Sequence, residues 1–567
     1  MKKIVILLFS LLCIFNSLKA QEDKYNATVV VIGNFQPTIN DASKINFSPS
    51  IKDSVIVHPN LEYSTYYKNI NTKYNIEPIK PVKLIDEKIT KLYKYLAKAG
   101  LGTYTTPYAE LFYSNQRSRK WSNNFNLKHI SSSGKIDNVG YPGWSDNIVE
   151  ANSGRYFKNS ALWGGVDFSR NVVHYYGFNP DTVSYNDNEL LVDKKSIKQR
   201  FVYTGAYLKY LNTGIDSSAL DYKFGLNYNY TEDYYKRKEH DVEFSGLLSK
   251  NLELFKITKS QNIGIKINTD FVSEILIDKP VHNNSLIVLR PFLNTKFGFF
   301  DINIGVNASI TADSISYLHF YPEAEVHFRI IRSILDIYGG ITGNIIRNDY
   351  RSLSKENPFV SPYIPGNFSN NKLEIYGGIN ASVSKNIDFY AKLSNSNIDN
   401  MQFFNREYNN FTSSQRWLNR FTSVYDNVHL LKISSGLTFQ QQERLKIGIR
   451  GEWNKYDLDT LEEPWHKPPY ELCLSAMYNI QNKIITRTEI FYCGPSYGLA
   501  TASYNSNFLI PHKIKSYIDI NLLLEYKYSK VLSCFINFYN ISASRFEKWL
   551  DYPSRRFSLL AGITYAF

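Results

Sequence analysis

The residues best suited to chemistry are few and scattered. Cys473 and Cys493 lie on two alternating stretches joined by Gln481-Asn482, and their parity points both to the same polar face. An oxidising compartment would permit a bridge between them, although the turn sets the pair about two residues out of register. Cys534 alternates with Ser533 and Phe535 and is expected to face lipid. The run Asp457-Leu458-Asp459-Thr460-Leu461-Glu462-Glu463 offers several hard oxygen ligands of the kind calcium prefers. It lacks EF-hand spacing and the loop glycine, so a solvated acidic loop is the favoured reading. His129, His174, His240 and His319 have no partner at metal-ligand spacing. The chain carries no Gly-x-Ser-x-Gly elbow, no His-Glu-x-x-His helix and no phosphate loop. No catalytic, cofactor-binding or metal residue is predicted, and the chain is not expected to be an enzyme.

What must position these side chains is a long series of strands. Ile302, Ile304, Val306, Ala308 and Ile310 alternate with Asn303, Gly305, Asn307, Ser309 and Thr311. Leu373, Ile375, Gly377 and Ile379 alternate with Glu374, Tyr376, Gly378 and Asn380, and Leu445, Ile447 and Ile449 with Lys446, Gly448 and Arg450. Successive strand side chains point to opposite faces, so each run has one apolar and one polar face. About twenty such runs leave almost nothing over for a covering layer. Lipid outside and a polar lumen inside satisfy all of them at once.

Turn lengths agree. Short connections at 158–160, 332–333, 384–386, 481–482 and 529–530 alternate with long ones such as 178–197, 346–371, 397–424, 455–467, 495–512 and 541–553. Twenty-one strands follow from residue 107 onward, and a short first strand near 96–103 makes the count even. The predicted fold is an all-β, antiparallel, up-and-down transmembrane barrel of about 22 strands, within a range of 18–22, spanning residues 93–567. Its lumenal charges include Lys266, Asp270, Asp301, Glu374, Lys446, Arg450, Glu452, Arg487 and Glu489. Their mixed signs suit mutual solvation better than a selective path. The 44 tyrosines and 35 phenylalanines suit the aromatic girdles of such a barrel.

The N-terminus reads as export and then as an arm. Lys2 and Lys3 precede an apolar stretch from Ile4 to Phe15, and cleavage is expected after Ala20, making 1–20 a signal peptide. Losing Lys2, Lys3 and Lys19 lowers the net charge from +13 to +10. There is no basic tract of the nucleic-acid type. Residues 21–92 contain Pro37, Pro49, Pro59, Pro78 and Pro81, which deny long strands and helices. We read them as an extended periplasmic arm, with a short helix expected around Ile85–Ala99.

The last strand carries Phe557, Leu559, Ala561, Ile563, Tyr565 and Phe567 on one face. With its terminal aromatic it resembles the signal by which the barrel-assembly machinery recognises outer-membrane barrels. The size of the barrel resembles that of TonB-dependent receptors, which import scarce solutes with energy from the inner membrane. The stretch Thr28-Val29-Val30-Val31-Ile32-Gly33 looks like the segment of those receptors that pairs with TonB. The resemblance implies location in the outer membrane of a Gram-negative cell, with lipid, the assembly machinery and a periplasmic or outer-membrane protein as partners, and with both termini periplasmic. It departs at the plug: only about 70 residues separate Gln21 from the barrel, too few for a full plug domain. Two functions are expected to compete. One is solute passage by a plugless relative; the other is a scaffold that docks partners through the arm. The sequence names no solute.

Overall fold

The computed structural model describes residues 92–567, except 116, 181–193, 215–218, 255–260, 277–280, 314, 332–333, 410–415 and 502–508. Twenty-two strands form one sheet. The first, Tyr95–Gly102, pairs antiparallel with the second, Thr106–Ser114, and also with the last, Ser558–Ala566. The sheet therefore closes on itself, leaving no edge. Each barrel strand pairs antiparallel with its neighbour in the chain, as an up-and-down barrel requires.

Burial is inverted relative to a soluble sheet. On the strand Phe300–Ala312, the apolar Ile304 and Val306 are 53% and 43% exposed, while Asn307 and Ser309 are 1% and 0% exposed. An apolar outer surface on every side is stable only against lipid. At the end that holds Leu92 and Phe567, Trp121, Tyr156, Phe157, Phe297, Phe299, Tyr526, Tyr528 and Phe567 are all exposed, forming one aromatic girdle. The Arg155 guanidinium lies 5.2 Å from the centre of the Trp121 ring and 5.1 Å from that of Phe157. There a cation packs on the rings and keeps contact with water. Turns at this end are short. Gln481 and Asn482 both have positive φ, 51° and 58°, the backbone that a tight hairpin demands.

The lumenal charges pair across strands. Lys392 meets Glu374 at 3.0 Å, Lys432 meets Glu452 at 2.7 Å and Arg347 meets Asp270 at 2.7 Å. Asp301 bonds Arg329. Mutual solvation, the favoured expectation, describes these contacts.

Several expectations need correction. Tyr95–Ala99 lies in the first strand, not in a helix, because it is the edge that closes the ring; residues 85–91 lie outside the described residues. The expected loop 397–424 is largely strand: Ile387–Asn409 pairs with Arg416–Gln441 far beyond the lipid-facing band. The alternation that marks a half-buried strand vanishes there because both faces are covered, with Gln402, Phe403, Phe404 and Asn405 all buried in succession. The connection 349–366 contains a helix, Tyr350–Glu356, and two small hairpins stand in other long connections, Ser496–Thr501 with Leu509–Ile514 and Glu547–Trp549 with Tyr552–Pro553.

Candidate functional site: a sealed barrel mouth

At the end of the barrel opposite Leu92 and Phe567, long connections dock on one another. The site starts from the short turn 233–237, between strands Asp221–Glu232 and Lys238–Leu252. Arg237 is wholly buried. Its guanidinium bonds the Glu274 carboxylate at 2.9 Å and donates to the carbonyls of Pro362 at 3.0 Å and Ile364 at 2.7 Å. One planar fork thus ties a turn, a neighbouring strand and a distant connection.

The helix Tyr350–Glu356 is only seven residues long and has little intrinsic stability. It is held by its first amides. Glu239 accepts the N–H of Tyr350 at 2.8 Å and of Arg351 at 3.1 Å, and the N-cap Asp349 accepts that of Ser352 at 2.7 Å. Carboxylates at a helix N-terminus satisfy orphan donors and the helix dipole together. The Tyr350 hydroxyl donates to Asp233 at 2.7 Å, and Asp233 also accepts the Arg237 N–H at 2.9 Å. Burial pushes the Asp233 carboxyl up, opposed by these hydrogen bonds and by one from Gln199. Burial also holds the phenols of Tyr175, Tyr350 and Tyr552 well above their usual range, which keeps each a donor.

An apolar core joins these connections. Phe201, Tyr203, Tyr350, Leu353, Val360, Ile364, Phe404, Phe421, Trp549 and Tyr552 pack as one buried cluster. The Phe359 and Tyr552 rings stack with centroids 3.9 Å apart. Ser361 donates its N–H to the Phe421 carbonyl at 2.7 Å, and Tyr175 donates to the Val360 carbonyl at 2.7 Å. His466, in the connection 459–469, donates through Nδ1 to the Phe404 carbonyl at 2.9 Å and accepts the Leu550 N–H at Nε2, 3.3 Å away. Arg555 reaches the carbonyls of Gly134 and Pro142 at 3.1 and 3.2 Å. These residues rise from strands on opposite sides of the ring, so contacts among them must cross the mouth.

The sequence flagged part of this. Phe403, Phe404 and Trp465, in the long connections 397–424 and 455–467, are buried. Arg237 and Tyr350 were missed, since a short polar turn and a Ser/Lys-rich helix carry no periodic signal, and Glu239 because strand alternation gives its face but not its partner. The acidic run 457–463 does not gather its carboxylates around a metal: Asp426 accepts the backbone N–H groups of Thr460 and Leu461 at 2.9 and 2.8 Å instead. Cys473 pairs with Phe491 and Cys493 with Glu471, which confirms the offset of two residues, and both thiols are free. Cys534 is exposed on the outer surface, as expected. His129 bonds Asn147, His174 the Gly143 carbonyl and His240 the Tyr228 hydroxyl, and His319 stacks on Tyr321. Phe557, Ile563, Tyr565 and Phe567 are exposed on the outer face of the last strand. Leu559 pairs with Phe538. Thr28, Val29, Val30, Val31, Ile32 and Gly33 lie outside the described residues.

A closed barrel of 22 antiparallel strands, apolar outside and polar within, is the architecture of the TonB-dependent receptor barrels. No family model and no curated protein matches the sequence. Solved structures do match. The siderophore receptor PirA from Acinetobacter baumannii aligns with a TM-score of 0.62 at 10% identity, over 85% of this chain and 81% of that one. The FrpB iron transporter from Neisseria meningitidis (F3-3 variant) gives 0.62 at 10%, over 84% and 82%. The pyoverdine outer membrane receptor FpvA from Pseudomonas aeruginosa PAO1 gives 0.62 at 10%, over 85% and 79%. At such identity the likeness is one of fold. These neighbours are receptors and transporters, not enzymes.

Proposed function

We propose that this chain is a gated outer-membrane barrel that passes solute only when its mouth unseals. The observation that carries the reading is the docking of connections from opposite sides of the ring across a receptor-sized barrel. In this reading the long connections face outside and both termini face the periplasm. Residues 1–20 direct export, and 21–92 form a periplasmic arm in place of a full plug. Thr28–Gly33 is the segment that contacts TonB or another periplasmic partner, by adding to a sheet of that partner. The outward residues Phe557, Leu559, Ile563, Tyr565 and Phe567 are read by the assembly machinery. The neighbours described as siderophore receptors and iron transporters support uptake of a scarce solute as the class of task.

Planar-bilayer recordings test the gate. The full chain is expected to be nearly silent. A variant with 350–364 replaced by a short flexible linker, made with and without residues 22–90, is expected to conduct. Silence of the folded double variant would refute solute passage. A closed mouth also suits a scaffold that does not transport. That reading predicts loss of co-purifying partners when 22–90 is deleted, together with a silent double variant.

A further inference from the structure

We propose that Asp241, Glu243 and Asp270 hold one divalent cation of calcium's size on the lumenal wall beneath the cap. Asp241 and Glu243 are two residues apart on the strand Lys238–Leu252 and so share a face. Glu243 stands directly opposite Asp270 on the strand Gln261–Ile275. One carboxylate oxygen from each residue lies within 4.8 Å of the other two.

The surroundings neutralise the cluster only in part. Asp241 is 4% exposed, and its Oδ1 is buried without a hydrogen-bond partner. Its Oδ2 accepts from the Asn229 amide at 3.0 Å. Glu243 accepts from Asn227 at 3.0 Å and from Asn229 at 3.2 Å. Among the described residues, the one cation hydrogen-bonded to any of the three carboxylates is Arg347, which meets Asp270 at 2.7 Å. The nearby acids Glu239 and Glu274 are already engaged, by the helix amides and by Arg237. A buried carboxylate oxygen facing two more carboxylates calls for a positive charge between them.

The donor set is all hard oxygen. Three protein carboxylates on one ion suit calcium, which takes about six to eight oxygen ligands in a flexible shell, better than magnesium, which keeps several of its waters and usually takes one or two carboxylates. Glu243 and Asp270 are only partly buried, which leaves a way in from the lumen. The ion would fasten Lys238–Leu252 to Gln261–Ile275 directly below Glu239, the residue that anchors the helix of the cap.

Calorimetric titration of the full chain, folded in detergent and stripped with a chelator, tests this with Ca²⁺ and Mg²⁺ as the added ions. One Ca²⁺ per chain is expected, bound at least tenfold more weakly by Asp241→Asn and by Glu243→Gln, with a thermal midpoint that rises with Ca²⁺ only in the unaltered chain. Either near-isosteric variant suffices if the other does not fold. No binding, or equal binding in the variants, would overturn the site. So would a Ca²⁺-independent midpoint that Asp241→Asn raises, because the carboxylates would then share a proton. Mg²⁺ binding as tight as Ca²⁺ would overturn the assignment of size.

Discussion

The Arg237 guanidinium lies 4.0 Å from the centre of the Tyr350 ring, and both side chains are completely buried. The pair joins a barrel turn to the helix of the cap, and the same guanidinium reaches Glu274 and two carbonyls of the connection behind that helix.

Replacing Arg237 by alanine would leave the Glu274 carboxylate buried and unpaired, a loss of about 3–5 kcal/mol for a broken buried pair. Most of that cost falls on the cap, because the barrel ladder does not depend on this residue. Limited proteolysis is expected to cut within 349–366 many times faster in Arg237→Ala, with the barrel's own unfolding little changed. Arg237→Lys should recover only part of the protection, since an ammonium cannot span three acceptors in one plane. Unchanged cleavage in Arg237→Ala would mean that the cap is held elsewhere.

The contrast between barrel and cap explains what could be read from the sequence. Ile304 and Asn307 declare their faces because lipid and lumen impose opposite demands on alternate residues. The register that sets Cys473 two residues from Cys493 follows from the turn at Gln481-Asn482. The cap obeys no period. Tyr175 meets Val360, and His466 meets Phe404 and Leu550, across long stretches of chain. Such pairings come from the closure of the ring, not from local spacing.

His466 makes the cap sensitive to acid. It sits between the rings of Phe421 and Trp549, with centroids 5.3 and 5.2 Å away, and bonds the Phe404 carbonyl and the Leu550 N–H. The second bond requires an unprotonated Nε2. Burial lowers its pKa to about 4; the bond to the Phe404 carbonyl opposes the shift, and the charges of Lys467 and Arg406 add to it. A histidine lowered in the folded state from the ordinary 6.5 contributes its full stability above pH 6.5. That contribution falls as acid protonates the open form, and it is spent near pH 4, for a total of about 3 kcal/mol. Proteolysis within 540–557 should therefore be constant above about pH 6.5 and accelerate steadily toward pH 4. His466→Gln should flatten that rise. An equally steep rise in the variant would place the acid sensitivity on another group.

The seam between the first and last strands separates two roles for Phe567. Its carbonyl accepts the N–H groups of Lys94 and Tyr95 at 3.2 and 3.0 Å, and its own N–H donates to Tyr95 at 3.0 Å. These backbone bonds close the barrel whatever the side chain. The ring stacks on Tyr95 with centroids 5.0 Å apart yet remains 51% exposed, so it adds only on the order of 1 kcal/mol to the folded state. A large effect of the ring on assembly must therefore act before folding, when the strand is recognised. Phe567→Ala should refold in detergent with nearly the original thermal midpoint, while the amount reaching the outer membrane in cells falls severalfold. Deleting residue 567 removes the seam bonds as well and should damage both measurements. If Phe567→Ala reached the outer membrane at the original level, the terminal aromatic would be no insertion signal. If it lost midpoint and yield in proportion, the ring would be part of the seam and nothing more.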